Sequence, residues 1–110
     1  MAARQRQTYG EEVANVLTHG AGMLFGMTAI IVLMMAAIRS GNPWAIGSFA
    51  VYAVCMTLSY VTSTFYHAST HARQKRLLRR FDHGAIYLHI AGTYTPFTLL
   101  ALRQEGYWGW

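Results

Sequence analysis

A chain of 110 residues has room for one domain. With 54% hydrophobic, 14% aromatic and only 12% charged residues, it lies far below the roughly 25% charged of soluble domains, which excludes an ordinary soluble fold. The formal net charge of +5 gathers beside apolar runs, so it reports topology and attraction to anionic lipid and argues against nucleic acid as a partner.

In chain order, Arg4 and Arg6 open the sequence, and Glu11, Glu12, Asn15, Thr18 and His19 make a polar ridge leading into the first apolar run. Glu11, Asn15 and Thr18 share one helical face, and Glu12, Asn15 and His19 a neighbouring one. An interfacial entry helix accounts for the two glutamates but accounts less well for His19. Residues 16–38 carry no formal charge, with only Thr18, His19 and Thr28 clearly polar. That run is too long for a signal-peptide core of about 7–15 residues, and no tidy cleavage site follows it, so it is expected to remain as a span. Within it, Gly22 and Gly26 form a small-xxx-small pair that lets a neighbouring helix come close. Gly41-Asn42-Pro43 then reads as a tight turn, with Pro43 suited to the first turn of the next helix.

The second span, about 44–66, has no Asp, Glu, Lys, Arg or His, and it holds the single cysteine, Cys55, expected to pack as a small hydrophobe. After it, Arg73, Lys75, Arg76, Arg79 and Arg80 read as a short basic loop, and Asp82 as the residue opening the third helix. The third span, about 83–102, has one ionisable group in its apolar part, His89, and contains Pro96. The proline frees a backbone carbonyl and predicts a kink, with Thr93 or Thr95 placed to satisfy it. Tyr107, Trp108 and Trp110 look like an interfacial aromatic belt. There is no internal repeat and no low-complexity tract.

About 20 residues of helix rise roughly 30 Å, the thickness of the hydrocarbon core. The expected fold is therefore all-α, an integral membrane helical bundle with three transmembrane helices. Seven basic residues, Arg4, Arg6 and the five between the second and third spans, fall on one side, against Arg39 and Arg103 on the other. This puts the N-terminus and the basic segment in the cytoplasm.

Polar and ionisable groups at membrane depth default to a functional site unless they pair or line water. Ser63 and His67 are four residues apart and share a helical face. A neutral imidazole is a good zinc ligand, and Asp82 on the same side could orient that histidine or accept a proton from water on a metal. The plainer reading makes His67 an interfacial histidine and Asp82 a carboxylate favoured by the dipole at a helix N-terminus. His67 and His71 would grip one metal only if the second helix continued through 71, and a solvated loop position suits His71 better. His83 points about 100° away from Asp82, and His89, on the face of Asp82, lies about 10 Å deeper, too far for a shared metal. His89 is then a cavity-lining or hydrogen-bonded core histidine, or a ligand of something else.

Four blocks in order resemble the haemolysin III-related membrane proteins, the bacterial branch of the family that includes the progestin and adiponectin receptors. They are Glu11-Glu12-Val13-Ala14-Asn15-Val16-Leu17-Thr18-His19-Gly20, Ser63-Thr64-Phe65-Tyr66-His67, Asp82-His83-Gly84-Ala85-Ile86-Tyr87 and Ala91-Gly92-Thr93-Tyr94-Thr95-Pro96-Phe97. The resemblance implies a seven-helix fold, of which this chain holds the first three helices, in the bacterial inner membrane. It implies a zinc site near the cytoplasmic face, with His67 as metal ligand, Ser63 beside the metal water or the substrate carbonyl, and Asp82 holding the water. The activity implied is hydrolysis of a lipid amide, or a receptor-like role for the same site. The family's other two ligands belong to a His-x-x-x-His motif on the last helix, which this chain lacks, and His89 stands at a usually aliphatic position. The chain is therefore expected to be a truncated member, inactive alone and binding zinc weakly or not at all, with the missing C-terminal half or a second copy as the partner to look for. Two other classes compete: a haem-binding anchor of a respiratory complex with His89 as axial ligand, and a pore-forming, cytolytic membrane protein without catalysis.

Overall fold

The structure, a computed structural model, describes residues 8–107. Arg4, Arg6, Trp108 and Trp110, used above for orientation and for the aromatic belt, lie outside the described residues. Among those described, the architecture is all-α: α1 (Tyr9–Ser40), α2 (Pro43–Ala68) and α3 (Ala72–Pro96), with a π-helical turn at Phe97–Ala101 and a 3-10 turn at Leu102–Glu105. Three helical segments, Tyr9–Ser40, Pro43–Ala68 and Ala72–Glu105, are long and apolar enough to cross a membrane.

The local chemistry fixes the helix ends. Thr8 caps α1 reciprocally: its hydroxyl accepts from the Glu11 N–H at 3.3 Å, and the Glu11 carboxylate accepts from the Thr8 N–H at 2.7 Å. Gly41 ends the helix with φ 65°, a left-handed conformation in which a Cβ would be strained. Asn42 then caps α2 by accepting from the Trp44 N–H at 3.0 Å, and Pro43 occupies the first turn. The expected tight turn is therefore present.

The basic segment is not a loop. α2 stops at Ala68, Ser69 and His71 are extended, and α3 already begins at Ala72. Arg73, Lys75, Arg76, Arg79 and Arg80 thus ride on the opening turns of α3, and Asp82 lies in its third turn. This corrects the reading of Asp82 as a helix-opening residue and removes the dipole argument for it, since that effect fades within the first turn.

α2 is the central element, with α1 and α3 packed on either side of it. Small residues make both contacts. A Cβ at Gly22 would fall 2.9 Å from the Tyr60 hydroxyl oxygen, and one at Gly26 would fall 2.9 Å from the Met56 sulfur. The expected close approach at the glycine pair is thus made, with α2 as the partner. On the other side Gly92 admits Cys55, whose sulfur would lie 3.0 Å from an added Cβ. The buried apolar set is short, Ala37, Ala45, Met56 and Ala85, while Leu24 and Phe25 are 70% and 78% exposed. In lipid those outward faces need no protein cover.

Pro96 disturbs the end of α3 as expected, but the threonines do not act as expected. Proline lacks the N–H that would bond the carbonyl four residues back, at Gly92. Thr93 instead donates to the His89 carbonyl at 2.8 Å and Thr95 to that of Ala91 at 2.8 Å. The chain responds by widening into the π turn that follows Pro96.

Candidate functional site

The N-terminal part of α1 and the C-terminal part of α2 bring four polar side chains together. His67, in the last turn of α2, has a side chain only 9% exposed, with Nδ1 2.9 Å from Glu12 Oε2. The second Glu12 oxygen accepts from Lys75 Nζ at 3.2 Å, so one carboxylate ties α1 to both α2 and α3. One turn before His67, Ser63 is buried, and its Oγ lies 3.4 Å from His19 Nδ1. The His19 and His67 rings are tilted with centroids 5.6 Å apart. Tyr66 closes another side of His67 at 4.8 Å between centroids, and the Lys75 ammonium sits 5.3 Å from the Tyr66 ring centre.

Asp82 does not touch this group. It is half-buried, and among the described residues its side chain has no hydrogen-bond or ion-pair partner. Its level along the bundle follows from the helix register. Gly92 meets Cys55. α2 and α3 run antiparallel, so counting ten residues back from Gly92 to Asp82 corresponds to ten forward from Cys55, at Phe65. Asp82 therefore stands level with the segment holding Ser63 and His67. It also shares a helical face with His89, seven residues on, and that face looks toward α2. The sequence reading offered Asp82 as the group orienting His67; the contact is made by Glu12.

The remaining histidines fall elsewhere. His71 is exposed in the short joint between α2 and α3, so it is not on one helix with His67. His83 is exposed, with Nδ1 2.7 Å from the Arg79 carbonyl oxygen, to which it donates. His89 is half-buried between two tyrosine edges, with centroids 6.5 Å from Tyr52 and 6.3 Å from Tyr60. Tyr60 also meets His19 edge-on at 6.5 Å, so it sits between α1 and α3.

Two participants, Glu12 and Lys75, escaped the sequence reading. The one signal for Glu12 was its place on the face of Asn15 and His19. Nothing local pointed to a partner 55 residues away. Among the described residues, no three His, Cys, Asp or Glu side chains form a group able to hold a metal. What they bring together is two imidazoles, His19 and His67, with the Glu12 carboxylate on His67.

Spanning helices joined by tight turns, with a polar cluster at one end, define a multi-pass membrane protein. The comparisons give the family. Residues 7–110 match the family described as Haemolysin-III related. The chain is 46% identical over 96 residues to "Hemolysin-3 homolog" of Bacillus subtilis (strain 168), covering 87% of this chain and 45% of that protein. It is 45% identical over 107 residues to "Hemolysin-3" of Bacillus cereus, covering 97% of this chain and 48% of that protein. The chain belongs to the haemolysin III-related family, and it spans about half the length of these curated relatives. No solved structure matches it.

Proposed function

We propose that this chain forms part of a zinc-dependent membrane hydrolase acting on a lipid amide, or of a receptor-like protein that uses the same site. Its N-terminus and the basic turns of α3 face the cytoplasm of a bacterial inner membrane, as the asymmetry of basic residues favours. The observation that carries the reading is the meeting of His67 and Ser63 with His19 at one end of the bundle, with Asp82, which has no partner among the described residues, at the same level of α3.

His67 would be one metal ligand, and the others would come from outside this half of the family's length or from a second copy. Zinc in such a place would supply Lewis-acid polarisation of the substrate carbonyl and a more acidic water. The chain's own residues then have separate tasks. Ser63, buried one turn deeper, donates a hydrogen bond to the substrate oxygen as negative charge develops there. Asp82 takes the proton from the attacking water and returns it to the leaving amine. Tyr66 and the surrounding helices limit water around the imidazole.

The test uses a protein of the relatives' full length carrying this segment. Asp82→Asn should keep bound zinc but lower amide hydrolysis by about 10²–10⁴-fold, the usual contribution of a general base. Ser63→Ala should be milder, since one hydroxyl provides one hydrogen bond. Undiminished turnover in folded Asp82→Asn would sink the assignment of the base.

A further inference from the structure

The most specific contact in the molecule joins His67 to two residues, Glu12 and Lys75, that have no task in the proposed chemistry. His67 Nδ1 lies 2.9 Å from Glu12 Oε2, at the length of a charge-assisted hydrogen bond, while Lys75 Nζ holds the other carboxylate oxygen at 3.2 Å. An ionised carboxylate has no proton to give, so the ring must donate through Nδ1. With the ring neutral, that leaves the lone pair on Nε2.

We propose that Glu12 is a positioning residue for His67: it fixes the Nδ1–H tautomer and turns Nε2 toward the site, with Lys75 holding the carboxylate in place. This rests on the reading of His67 as a metal ligand, and gives that ligand the outer partner that metal-binding histidines usually have. An unrestrained neutral imidazole favours the proton on Nε2, which would hide the nitrogen on that side from any ion. Glu12 reverses the preference. Because the clasp draws on α1, α2 and α3, the aim of Nε2 is set by the packing of all three helices. The other polar neighbours leave the task to Glu12. The Ser63 hydroxyl is engaged with His19, and Tyr66 meets His67 through its ring.

The tautomer can be read directly. The 110-residue chain, labelled with ¹⁵N-histidine and held in lipid nanodiscs, is measured well above the ordinary imidazole pKa of about 6.5, with His67 assigned through His67→Gln. A protonated Nδ1 and an unprotonated Nε2 are expected. Glu12→Ala should move the population toward Nε2–H, and Glu12→Asp should restore much of the native state. Nε2–H in the native chain, or no change in folded Glu12→Ala, would overturn the proposal. The native spectrum alone decides the tautomer even where Glu12→Ala does not fold. A second arm separates this idea from the zinc reading. In a protein of the relatives' full length, Glu12→Ala should weaken zinc binding about 10–100-fold, and unchanged affinity would contradict the positioning role. If the native full-length protein binds no zinc, the preceding reading fails, and the spectrum still decides the role of Glu12.

Discussion

At the residue scale, the contacts that matter are those where a side chain has been removed to let another in. Gly92 is the least forgiving case: an added Cβ would fall 2.5 Å from the Cys55 Cβ, an atom fixed to the α2 backbone, whereas at Gly26 the same distance is to the flexible end of Met56. Gly84, on the same helix, has nothing within 4 Å. Gly92→Ala should therefore destabilise the α2–α3 contact by about 1–3 kcal/mol through overpacking. Gly84→Ala should be neutral or slightly stabilising, because alanine is the better helix former. Unfolding by titration with a denaturing detergent measures both, and equal effects would argue against this pairing of the helices. The sequence shows this scale unevenly. Ser63 and His67 declare themselves by a spacing of four on an apolar helix. Glu12 does not, because a carboxylate in the first turns of a helix is explained locally by the dipole, and its partner His67 is known only once α1 and α2 are packed.

At the element scale, the apolar runs located the spans, and Gly41-Asn42-Pro43 located the joint between α1 and α2. The start of α3 is hidden in the sequence because a run of five basic residues resembles a solvated loop. From 72 to 81 the residues are Ala, Arg, Gln, Lys, Leu and Phe, with no glycine or proline, and most of them are strong helix formers. The break belongs to Ser69 and Thr70 just before them. Nitroxide labels placed singly from 73 to 80 should show mobility and accessibility oscillating with a period near 3.6 residues. A uniformly mobile profile would restore the loop. The π turn after Pro96 was half legible: the proline announces a defect, but which carbonyls Thr93 and Thr95 take depends on rotamers that sequence does not fix.

At the scale of the whole molecule, α2 lies between α1 and α3, and a small-residue contact on each side lets three apolar helices form one unit with few buried side chains. Hydropathy made the membrane class legible, because a bilayer demands long uninterrupted runs whatever the tertiary contacts. The proposed zinc ligand set is not legible in the same way. It depends on which helix ends meet, and the chain covers about half the length of its curated relatives. The proposed role of His67 as a zinc ligand is tested most directly by zinc content, by mass spectrometry, of a purified protein of the relatives' full length. One zinc per chain is expected in the native protein and in His89→Leu, because the His89 ring sits between Tyr52 and Tyr60. That zinc should be lost in His67→Ala, since an ion deprived of one of three protein ligands is poorly held. Stoichiometric zinc retained by folded His67→Ala, or lost in folded His89→Leu, would contradict the proposal.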